Sequence, residues 1–404
     1  MAPTKPFVPD SRAAWLRLLL VLVIGSVGSA GMWSVVVALP AVQAEFGATR
    51  GAASLAFTCA MAGLGFGGVA MGRITDRFGI VAAIAVGTVA LAVGYLGAGF
   101  ATSLAMFNAM HVAIGVGAAA TFAPLMTEAS YWFERRRGLA VTIAASGNYV
   151  AGAVWPPIVA RGIEAAGWRA THLALALFCA VAMAIVLAAL RAQIRGEGRR
   201  SHAGAPPPRL DLGLSGNALT GVLCIAAVAC CVAMAMPQVH IVAYCGDLGY
   251  GPARGAEMLS LMLLFGIVSR IGTGFVADRI GGLPTLLIGS VAQGAALLFY
   301  ALFDSLSSLY VISALFGLFQ GGIVPSYAII VRETMPASEA ATRVATVVFA
   351  SLVGMSFGGW VSGEIFDATG SYAAAFLNGL GWNALNVTIA VGLLLRARRL
   401  LALA

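Results

Sequence analysis

The most informative shortage in this sequence is of charged residues. Only 10% of the 404 residues are Asp, Glu, Lys or Arg, whereas 60% are hydrophobic. A soluble globular protein carries about 25% charged residues, so this composition excludes an ordinary soluble domain and places the chain in a lipid bilayer. The mean hydropathy of +0.93 agrees with this placement. The 50 glycines suit closely packed membrane helices, because small residues let helix backbones approach each other.

Motifs that would indicate other functions are also missing. The six cysteines nearly all lie in apolar segments without metal-ligand spacing, so we interpret them as small apolar residues without disulfides. No H-E-x-x-H, no G-x-S-x-G and no nucleotide-binding motif is present, which argues against an enzyme and against an ATP-driven pump. We expect no cofactor and no metal. The net charge of +8 does not indicate nucleic acid, because the basic residues form short clusters between apolar runs.

Long apolar runs take the place of the missing charges. A bilayer core needs roughly 20 mostly apolar residues per helix. The first run follows Lys5 and Arg12 as in a signal peptide, but it continues to Val42, whereas a signal-peptide core has about 7–15 residues. We therefore interpret it as a spanning helix. The sequence predicts twelve such helices, over residues 15–42, 52–72, 80–100, 104–127, 138–160, 170–190, 217–243, 253–275, 283–303, 306–330, 343–363 and 372–395.

The distribution of basic residues tests this assignment. With the N-terminus placed inside, nineteen of the 24 Lys and Arg residues fall on the inner side, and Arg50, Arg161, Arg169 and Arg254 fall outside. Because cytoplasmic loops are enriched in Lys and Arg, this asymmetry predicts a multi-pass protein of the plasma (inner) membrane with both termini in the cytoplasm. Arg270 alone remains inside a predicted span.

One long polar stretch divides the chain. Residues 191–216 contain Pro206-Pro207-Pro208 and several glycines, which predicts a flexible cytoplasmic linker. We therefore predict an N-terminal six-helix bundle over residues 1–190 and a C-terminal six-helix bundle over residues 217–404.

An octapeptide is repeated at the same place in both halves. The segment from Gly72 to Gly79 follows predicted helix two, and the segment from Gly274 to Gly281 follows predicted helix eight; both read G-x-x-x-D-R-x-G. Two six-helix halves repeated in parallel resemble the major facilitator superfamily. The resemblance implies an all-α integral membrane fold, twelve transmembrane helices in two bundles, and transport by alternating access.

The same octapeptide suggests a gate on the inner face. Its first glycine would allow close helix packing, and its aspartate can sit near the positive N-terminal end of a neighbouring helix. Its arginine can pair with nearby acids. The alternative is a solvated turn with a positive-inside arginine. The predicted gating residues are Gly72, Asp76, Arg77, Gly274, Asp278 and Arg279.

Two further segments narrow the family. The segment from Tyr131 to Gly147, with its aromatic, Arg-Arg and Leu-Ala pattern, resembles the signature of monocarboxylate transporters and their bacterial relatives. The segment from Pro237 to Tyr250 resembles the corresponding part of the bacterial members, and Arg270 falls where that family carries an arginine in helix eight. The resemblance implies a central site between the halves and transport of small carboxylates such as lactate or pyruvate, often with a proton.

The sequence also departs from that family. Many animal members have an aspartate one turn before the helix-eight arginine, where this chain has Gly266, and a lysine in helix one, whereas Lys5 is the only lysine here. The related oxalate–formate exchangers use a second cation in helix eleven. The segment from Val344 to Gly363 contains none, so one buried positive charge suits a monocarboxylate.

Arg270 is the leading candidate for substrate binding. A central arginine is costly in a bilayer, so we expect it to face a cavity, where its guanidinium can hold a carboxylate with two parallel hydrogen bonds. The alternative is an arginine that snorkels or packs on carbonyl groups. The other candidates have packing or interhelical hydrogen bonding as alternative roles: Tyr327, Asn148, Tyr149, Met32 and Phe349.

Three residues are candidates for proton coupling. His240 leads, because imidazole titrates near physiological pH, although a structural histidine is the equal alternative. Glu128, at the inner end of predicted helix four, and Glu364, at the outer end of predicted helix eleven, are the other two.

The sequence thus predicts a secondary active transporter of small monocarboxylates, with proton symport as the expected coupling. The alternatives are a carboxylate antiporter of the oxalate–formate type, a drug or metabolite exporter, and a non-transporting sensor on the same scaffold. The expected partners are a small carboxylate, protons or a counter-substrate, and the lipid bilayer. The oligomeric state stays open, with a monomer as the expected form.

Overall fold

The computed structural model describes residues 10–133, 137–194 and 212–403, and the regular structure in these ranges is helical. The helices are α1 (Arg12–Gly28), α2 (Ala30–Phe46), α3 (Arg50–Phe78), α4 (Ile80–Gly99), α5 (Leu104–Ala119), α6 (Ala123–Trp132), α7 (Arg137–Ala145), α8 (Gly147–Ile194), α9 (Gly216–Asp247), α10 (Pro252–Ile280), α11 (Gly282–Leu302), α12 (Leu306–Gln320), α13 (Ile323–Thr334), α14 (Ala337–Thr369) and α15 (Tyr372–Leu403).

Most of the described chain is long and apolar enough to cross a bilayer. Eleven segments meet both requirements, and one of them, residues 139–192, has 54 residues. At about 1.5 Å per residue that segment would be more than twice the ~30 Å hydrocarbon core. Gly167 divides it, because its φ of 80° and ψ of 162° are not helical. Counting two crossings there gives twelve, which confirms the predicted all-α, multi-pass fold.

Packing divides the chain into two compact units. Unit 1 comprises Met1–Phe46 and Cys59–His202, and unit 2 comprises Gly47–Thr58 and Ala203–Ala404. The first residues of α3 therefore pack with unit 2, although the rest of that helix belongs to unit 1. The predicted domain boundaries and the predicted linker stay predictions, since residues 195–211 lie outside the described residues.

Aromatic side chains hold the interior of unit 1 between α4, α5 and α8. Tyr95 and Phe107 are fully buried, and the Phe107 ring meets the Trp168 ring edge-to-face with centroids 5.2 Å apart. Two buried histidines complete the cluster, and Nδ1 of each lies 2.8 Å from the carbonyl oxygen four residues earlier: His111 from Phe107 and His172 from Trp168. These contacts fix the start of α5 against α8.

Unit 2 is built around α9, which is buried continuously from Ala229 to Cys245. Helices α14 and α15 pack along it, and α10 packs on α12. Hydrogen bonds tie the surrounding helices together. The Tyr327 hydroxyl donates to Asn386 Oδ1 at 2.8 Å, and Asn386 Nδ2 donates to Ser290 Oγ at 2.7 Å. Such bonds are worth about 0.6 kcal/mol each on average in a membrane protein, so this network is interhelical packing of ordinary strength.

The octapeptide repeat ends in the same backbone conformation in both halves. A single residue, Gly79, separates α3 from α4, with φ of 84° and ψ of 167°. Gly281 separates α10 from α11, with φ of 84° and ψ of 170°. These dihedral angles are open essentially to glycine alone, which explains the last glycine of the motif.

Candidate functional site

Arg270 lies on the side of α10 away from that helix's exposed apolar edge. Leu264, Val268, Ile271 and Phe275 are all exposed and share one face of the helix. Arg270 is two residues from Val268, about 200° around the helix axis. It is half-buried, and its Nε atom is buried. An apolar edge suits lipid, so the opposite position directs the guanidinium towards protein rather than lipid.

Close contact between α10 and the end of α12 fixes the position of Arg270 relative to α12. A Cβ on Gly317 would lie 1.9 Å from the Met262 carbonyl oxygen, and a Cβ on Gly321 would lie 2.4 Å from the Gly266 carbonyl oxygen. Only glycine allows backbones to meet in this way. The two backbones are thus locked in register one turn before Arg270, at the break between α12 and α13.

A pair of buried amides lies at the same break. Gln320 is the last residue of α12, and Gln238 follows Pro237 inside α9. Gln238 Nε2 donates to Gln320 Oε1 at 3.0 Å, and both side chains are buried. Gln320 Nε2 has no hydrogen-bond partner within the described part of the chain. An amide donor buried without a partner is costly, which makes it a candidate to bind a ligand oxygen. Neither residue is among those predicted from the sequence.

In unit 1, breaks in three membrane crossings come together. One separates α1 from α2 at Ser29, another separates α7 from α8 at Ser146, and the third separates α5 from α6. A Cβ on Gly147 would lie 3.0 Å from the Gly25 Cα, and a Cβ on Gly28 would lie 2.4 Å from the Thr121 side chain, so the three breaks are in contact. Broken helices near mid-membrane expose backbone groups and are typical of transporter binding sites.

Asn148 lies at the start of α8, beside these breaks. Trp33 Nε1 donates to the Asn148 carbonyl oxygen at 3.0 Å and to Asn148 Oδ1 at 3.1 Å. Asn148 is half-buried, whereas its predicted neighbours Met32 and Tyr149 are buried. The indole therefore fixes the amide orientation and leaves its nitrogen donor side available.

Comparison with known proteins identifies the family. The family model described as Major Facilitator Superfamily matches residues 21–359 and 222–401. The chain belongs to the major facilitator superfamily.

Several similar proteins are monocarboxylate transporters, the family that the signature segments of this chain resemble. Monocarboxylate transporter 13 of Bos taurus is 26% identical over 316 residues, covering 77% of this chain and 73% of its own. Monocarboxylate transporter 4 of Rattus norvegicus is 24% identical over 388 residues, covering 93% and 82%. The agnestins efflux protein AgnL12 of Paecilomyces divaricatus is 23% identical, covering 76% and 70%. The predicted resemblance to monocarboxylate transporters is therefore confirmed.

A solved superfamily structure shows the same fold. It is a crystal structure of a bacterial homolog of the human lysosomal transporter Spinster, in an inward-facing and occupied conformation. Its TM-score to this chain is 0.74 at 14% identity, covering 96% of this chain and 98% of that one. At this identity the likeness concerns the fold alone.

Tyr327 and Phe349, the two other predicted substrate residues, have different surroundings. Tyr327 is 1% exposed, and its hydroxyl is used in the bond to Asn386 inside unit 2. Phe349 is 39% exposed on α14. Substrate binding by these two residues stays a prediction, with interhelical bonding now visible for Tyr327.

In unit 2, the surroundings of the predicted gating residues Gly274 and Asp278 differ from those expected. Nothing in the described chain lies within 4 Å of a Cβ placed on Gly274, so no close packing is visible at this glycine; the same holds for Gly72. Asp278 is exposed, and it is Glu333 that binds the start of α11, accepting from the Gly282 N–H at 3.1 Å. A carboxylate there neutralises the positive helix end. Glu333 belongs to α13, so it joins the start of α11 to the end of α13.

The other gating residues add little to this picture. Arg77 and Arg279 are exposed, and the Arg77 guanidinium lies 5.2 Å from the ring of its neighbour Phe78. The side chain of Asp76 falls outside the described part of the structure, as do residues 134–136 of the family signature. The gate therefore stays a prediction.

The three proton-coupling candidates have distinct surroundings. His240 is completely buried, with Nε2 2.7 Å from the Gly359 carbonyl oxygen, so this nitrogen carries the proton and donates it. Nδ1 is then an acceptor, and it has no partner among the described residues. Glu364 is exposed and accepts from Trp360 Nε1 at 3.0 Å, whereas Glu128 is half-buried in α6. Of the three, His240 is the one enclosed by protein.

The described residues contain no group of three or more His, Cys, Asp or Glu side chains that could hold a metal ion. In unit 2 the candidate binding groups are the Arg270 guanidinium and the Gln320 amide. Such donors suit an anion with few oxygen atoms.

Proposed function

We propose that this superfamily member transports small monocarboxylates by alternating access, and that Arg270 binds the substrate carboxylate. The observation that carries the proposal is a half-buried arginine on the protein-facing side of a spanning helix. A planar guanidinium matches a carboxylate with two parallel hydrogen bonds. The similarity to monocarboxylate transporters supports the substrate class.

The neighbouring groups favour a substrate with a single negative charge. Gln238 and Gln320 bring neutral amides to the helix break beside α10, and neither adds a charge. Binding a second carboxylate would need a second cation to balance its charge at membrane depth. The free N–H of Gln320 can instead bind a neutral oxygen of the substrate, such as the hydroxyl or keto group beside a carboxylate.

Uptake by purified protein in liposomes tests the site. Labelled lactate or pyruvate should enter faster than into empty liposomes, and Arg270→Ala should reduce uptake by roughly 100-fold, because a charge-assisted bidentate contact contributes about 1.5–3 kcal/mol. Arg270→Lys should recover only part, since an ammonium lacks the planar fork.

The matched control is Arg254→Ala. Arg254 lies near the start of the same helix, is exposed and pairs with Glu257 at 3.0 Å, so its removal should leave uptake unchanged. Equal uptake by Arg270→Ala and wild type would refute the site assignment.

We further propose proton symport, with His240 as the proton carrier, and both termini on the cytoplasmic side of the inner membrane. Full burial of an imidazole with a free acceptor nitrogen supports the first point. The excess of inner Lys and Arg supports the second.

The relative named as an agnestins efflux protein favours a second candidate, export of an organic metabolite. Competition separates the two: a panel of unlabelled short carboxylates should inhibit labelled uptake through Arg270. Inhibition by lipophilic compounds that is indifferent to Arg270→Ala would support the exporter. Ligand binding without any flux would instead indicate a sensor.

A further inference from the structure

A cavity of about 360 Å³ opens at one end of unit 2. It is formed by the last residues of α9, α11 and α14 and by the first residues of α15. On the proposed topology this end lies at the outer face of the membrane. Small-molecule sites have volumes of about 300–1,000 Å³, so the cavity can take a small ligand.

Aromatic side chains form much of the cavity wall. They are Tyr244, Tyr300, Phe303, Phe366 and Tyr372. Three of these rings pack on one another, because the Tyr372 centroid lies 4.8 Å from that of Tyr244 and 4.3 Å from that of Phe366. The wall is therefore assembled before any ligand binds. Aromatic rings attract cations, and quaternary ammonium groups are the ligands that aromatic walls typically bind.

Two carboxylates give the cavity a negative charge. Asp247 and Asp304 line it, and the described residues of the lining include neither Lys nor Arg. Asp247 already has an ion-pair partner in Arg50. Asp304 forms no ion pair with any other described residue, so its charge is the one left for a ligand. The Tyr250 hydroxyl donates to the Asp304 carbonyl oxygen at 3.2 Å, which holds this part of the chain in place.

The helix ends add to this negative potential. An α-helix leaves its last carbonyl groups unpaired, and its dipole places a partial negative charge there. Leu248, Leu302 and Gly370 bring the ends of α9, α11 and α14 to the cavity, against a single helix start, that of α15. Three negative ends and one positive end favour a cation.

Tyr244 supplies an unpaired polar atom to the same cavity. The residue is 8% exposed and lines the cavity, and its hydroxyl forms no hydrogen bond with any described residue. The Tyr300 hydroxyl, by contrast, is bound to Ser313 Oγ at 2.7 Å. A buried tyrosine hydroxyl usually has a partner, so the Tyr244 hydroxyl indicates a ligand with a polar group of its own.

We propose that this cavity binds a small organic cation, an ammonium group with alkyl substituents. The aromatic wall contacts the alkyl groups, Asp304 balances the charge, and the Tyr244 hydroxyl bonds to a polar group of the ligand. A calcium ion fits poorly, because it takes about 6–8 oxygen ligands, whereas this wall is largely aromatic. The site goes beyond the proposed function, since its ligand has the opposite charge to the carboxylate at Arg270. Free amines and the headgroups of choline lipids both carry this chemistry.

Ligand-observed NMR titration of choline into the purified full chain tests the site. The chain is held in maltoside micelles, which have neither a charge nor an ammonium group. Choline should bind saturably, and its neutral isostere, with carbon in place of nitrogen, should bind at least about fivefold more weakly because it lacks the charge. Equal binding of the two compounds, or no saturable binding of choline, would overturn the proposal.

Variants assign the binding to this cavity. Asp304→Asn keeps the side-chain shape and should weaken choline binding about fivefold. Tyr244→Phe should weaken choline about two- to tenfold and leave tetramethylammonium unchanged, because only choline has a hydroxyl group. The matched control is Glu257→Gln, at an exposed carboxylate outside the cavity lining, which should bind choline as wild type does. Unchanged choline binding in both Asp304→Asn and Tyr244→Phe would refute the assignment.

Two comparisons separate this site from other sources of binding. Addition of phosphatidylcholine to the micelles should raise the apparent Kd of choline if a lipid headgroup occupies the cavity, and should leave it unchanged if the ligand is a free amine. Both results require the ammonium site. Arg270→Ala should bind choline as wild type does, because Arg270 does not line the cavity. If no carboxylate is transported, the proposed function fails, and the choline titration still decides on this site.

Discussion

Arg270 and Arg50 show how far single residues can be predicted from the sequence. The position of Arg270 inside an apolar run predicts a residue within a span, and the structure places it in the middle part of α10. Arg50 stands between two apolar runs and so counts as an ordinary outer arginine, yet it is buried. Its partners Asp247 and Asp367 are 197 and 317 residues away in the chain, so no local pattern could identify them.

The sequence contains a pattern that could have identified the two buried glutamines. Gln238 and Gln320 are isolated polar residues in apolar helices, each next to a helix-distorting element, Pro237 in one case and Gly321-Gly322 in the other. An uncharged polar residue at membrane depth needs a partner. Their mutual hydrogen bond, however, depends on the packing of α9 beside α12, which the sequence alone does not supply.

Gln320→Leu should weaken substrate binding. The change removes the unpaired Nε2 donor and keeps most of the side-chain volume. If this donor binds a substrate oxygen, KM for lactate should rise by roughly two- to tenfold, since a net hydrogen bond contributes about 0.5–1.5 kcal/mol. The maximal rate should stay within twofold. Measurement of uptake against substrate concentration checks both values.

Gln293→Leu is the control for this change. Gln293 is also completely buried and also has an unpaired Nε2, but its Oε1 accepts from Asn383 inside unit 2. Its replacement should lower the melting temperature and leave KM unchanged. An equal rise in KM for both variants would show that the Gln320 effect is not local.

At the scale of helices, the sequence predicts the membrane-spanning segments but not the breaks within them. Periodicity and length predict where apolar helices run, but they do not predict that crossings one, four, five and ten are each built from two helices. The breaks depend on contacts between distant glycines, such as Gly25 with Gly147. The closely similar backbone angles at Gly79 and Gly281, by contrast, follow directly from the repeated octapeptide.

Gly321→Ala should disturb both stability and transport. The backbone angles at Gly321 are ordinary helical values, so an alanine brings no backbone strain. Its Cβ, however, would come within 2.4 Å of the Gly266 carbonyl oxygen, which must push α10 away from α12. Overpacking of this kind costs about 1–3 kcal/mol. We expect a lower melting temperature and slower uptake, because the displaced helix carries Arg270.

Gly274→Ala is the matched substitution in the same helix. A Cβ there meets nothing within 4 Å in the described chain, so the melting temperature should not fall. A loss of transport without a loss of stability would indicate that this motif glycine is packed in another state of the cycle, as a gate requires. A fall in melting temperature as large as that of Gly321→Ala would contradict the packing described here.

The sequence predicts the fold of the whole molecule better than it predicts the contacts of the candidate site. Composition, twelve apolar runs, the basic-residue asymmetry and the repeated octapeptide together predict the superfamily fold, because each depends on local chemistry or on the bilayer. The pairing of Trp33 with Asn148 and the burial of His240 depend on how helices pack, and packing is a property of the assembled unit. The fold was therefore predictable from the sequence, whereas the contacts of the candidate site were not.

The proposed coupling to protons concerns the whole molecule, and it can be tested at His240. Groups from three elements surround this imidazole: Arg50 of α3, Asp367 of α14 and Tyr372 of α15. In the wild type an inward proton gradient of one pH unit should drive accumulation of substrate up to about tenfold, which is equivalent to about 1.36 kcal/mol. Acidification outside should therefore raise uptake.

His240→Gln should uncouple uptake from the proton gradient while preserving the fold. The Gln amide can still donate to the Gly359 carbonyl oxygen, as His240 Nε2 does, but it cannot titrate. Uptake should become insensitive to the gradient, and exchange of labelled for unlabelled substrate should continue, because exchange needs no net proton movement. His111→Asn, at an equally buried histidine of unit 1 whose Nδ1 faces the Phe107 carbonyl oxygen, should retain coupling. Gradient-driven accumulation by His240→Gln equal to that of His111→Asn would exclude His240 as the proton carrier.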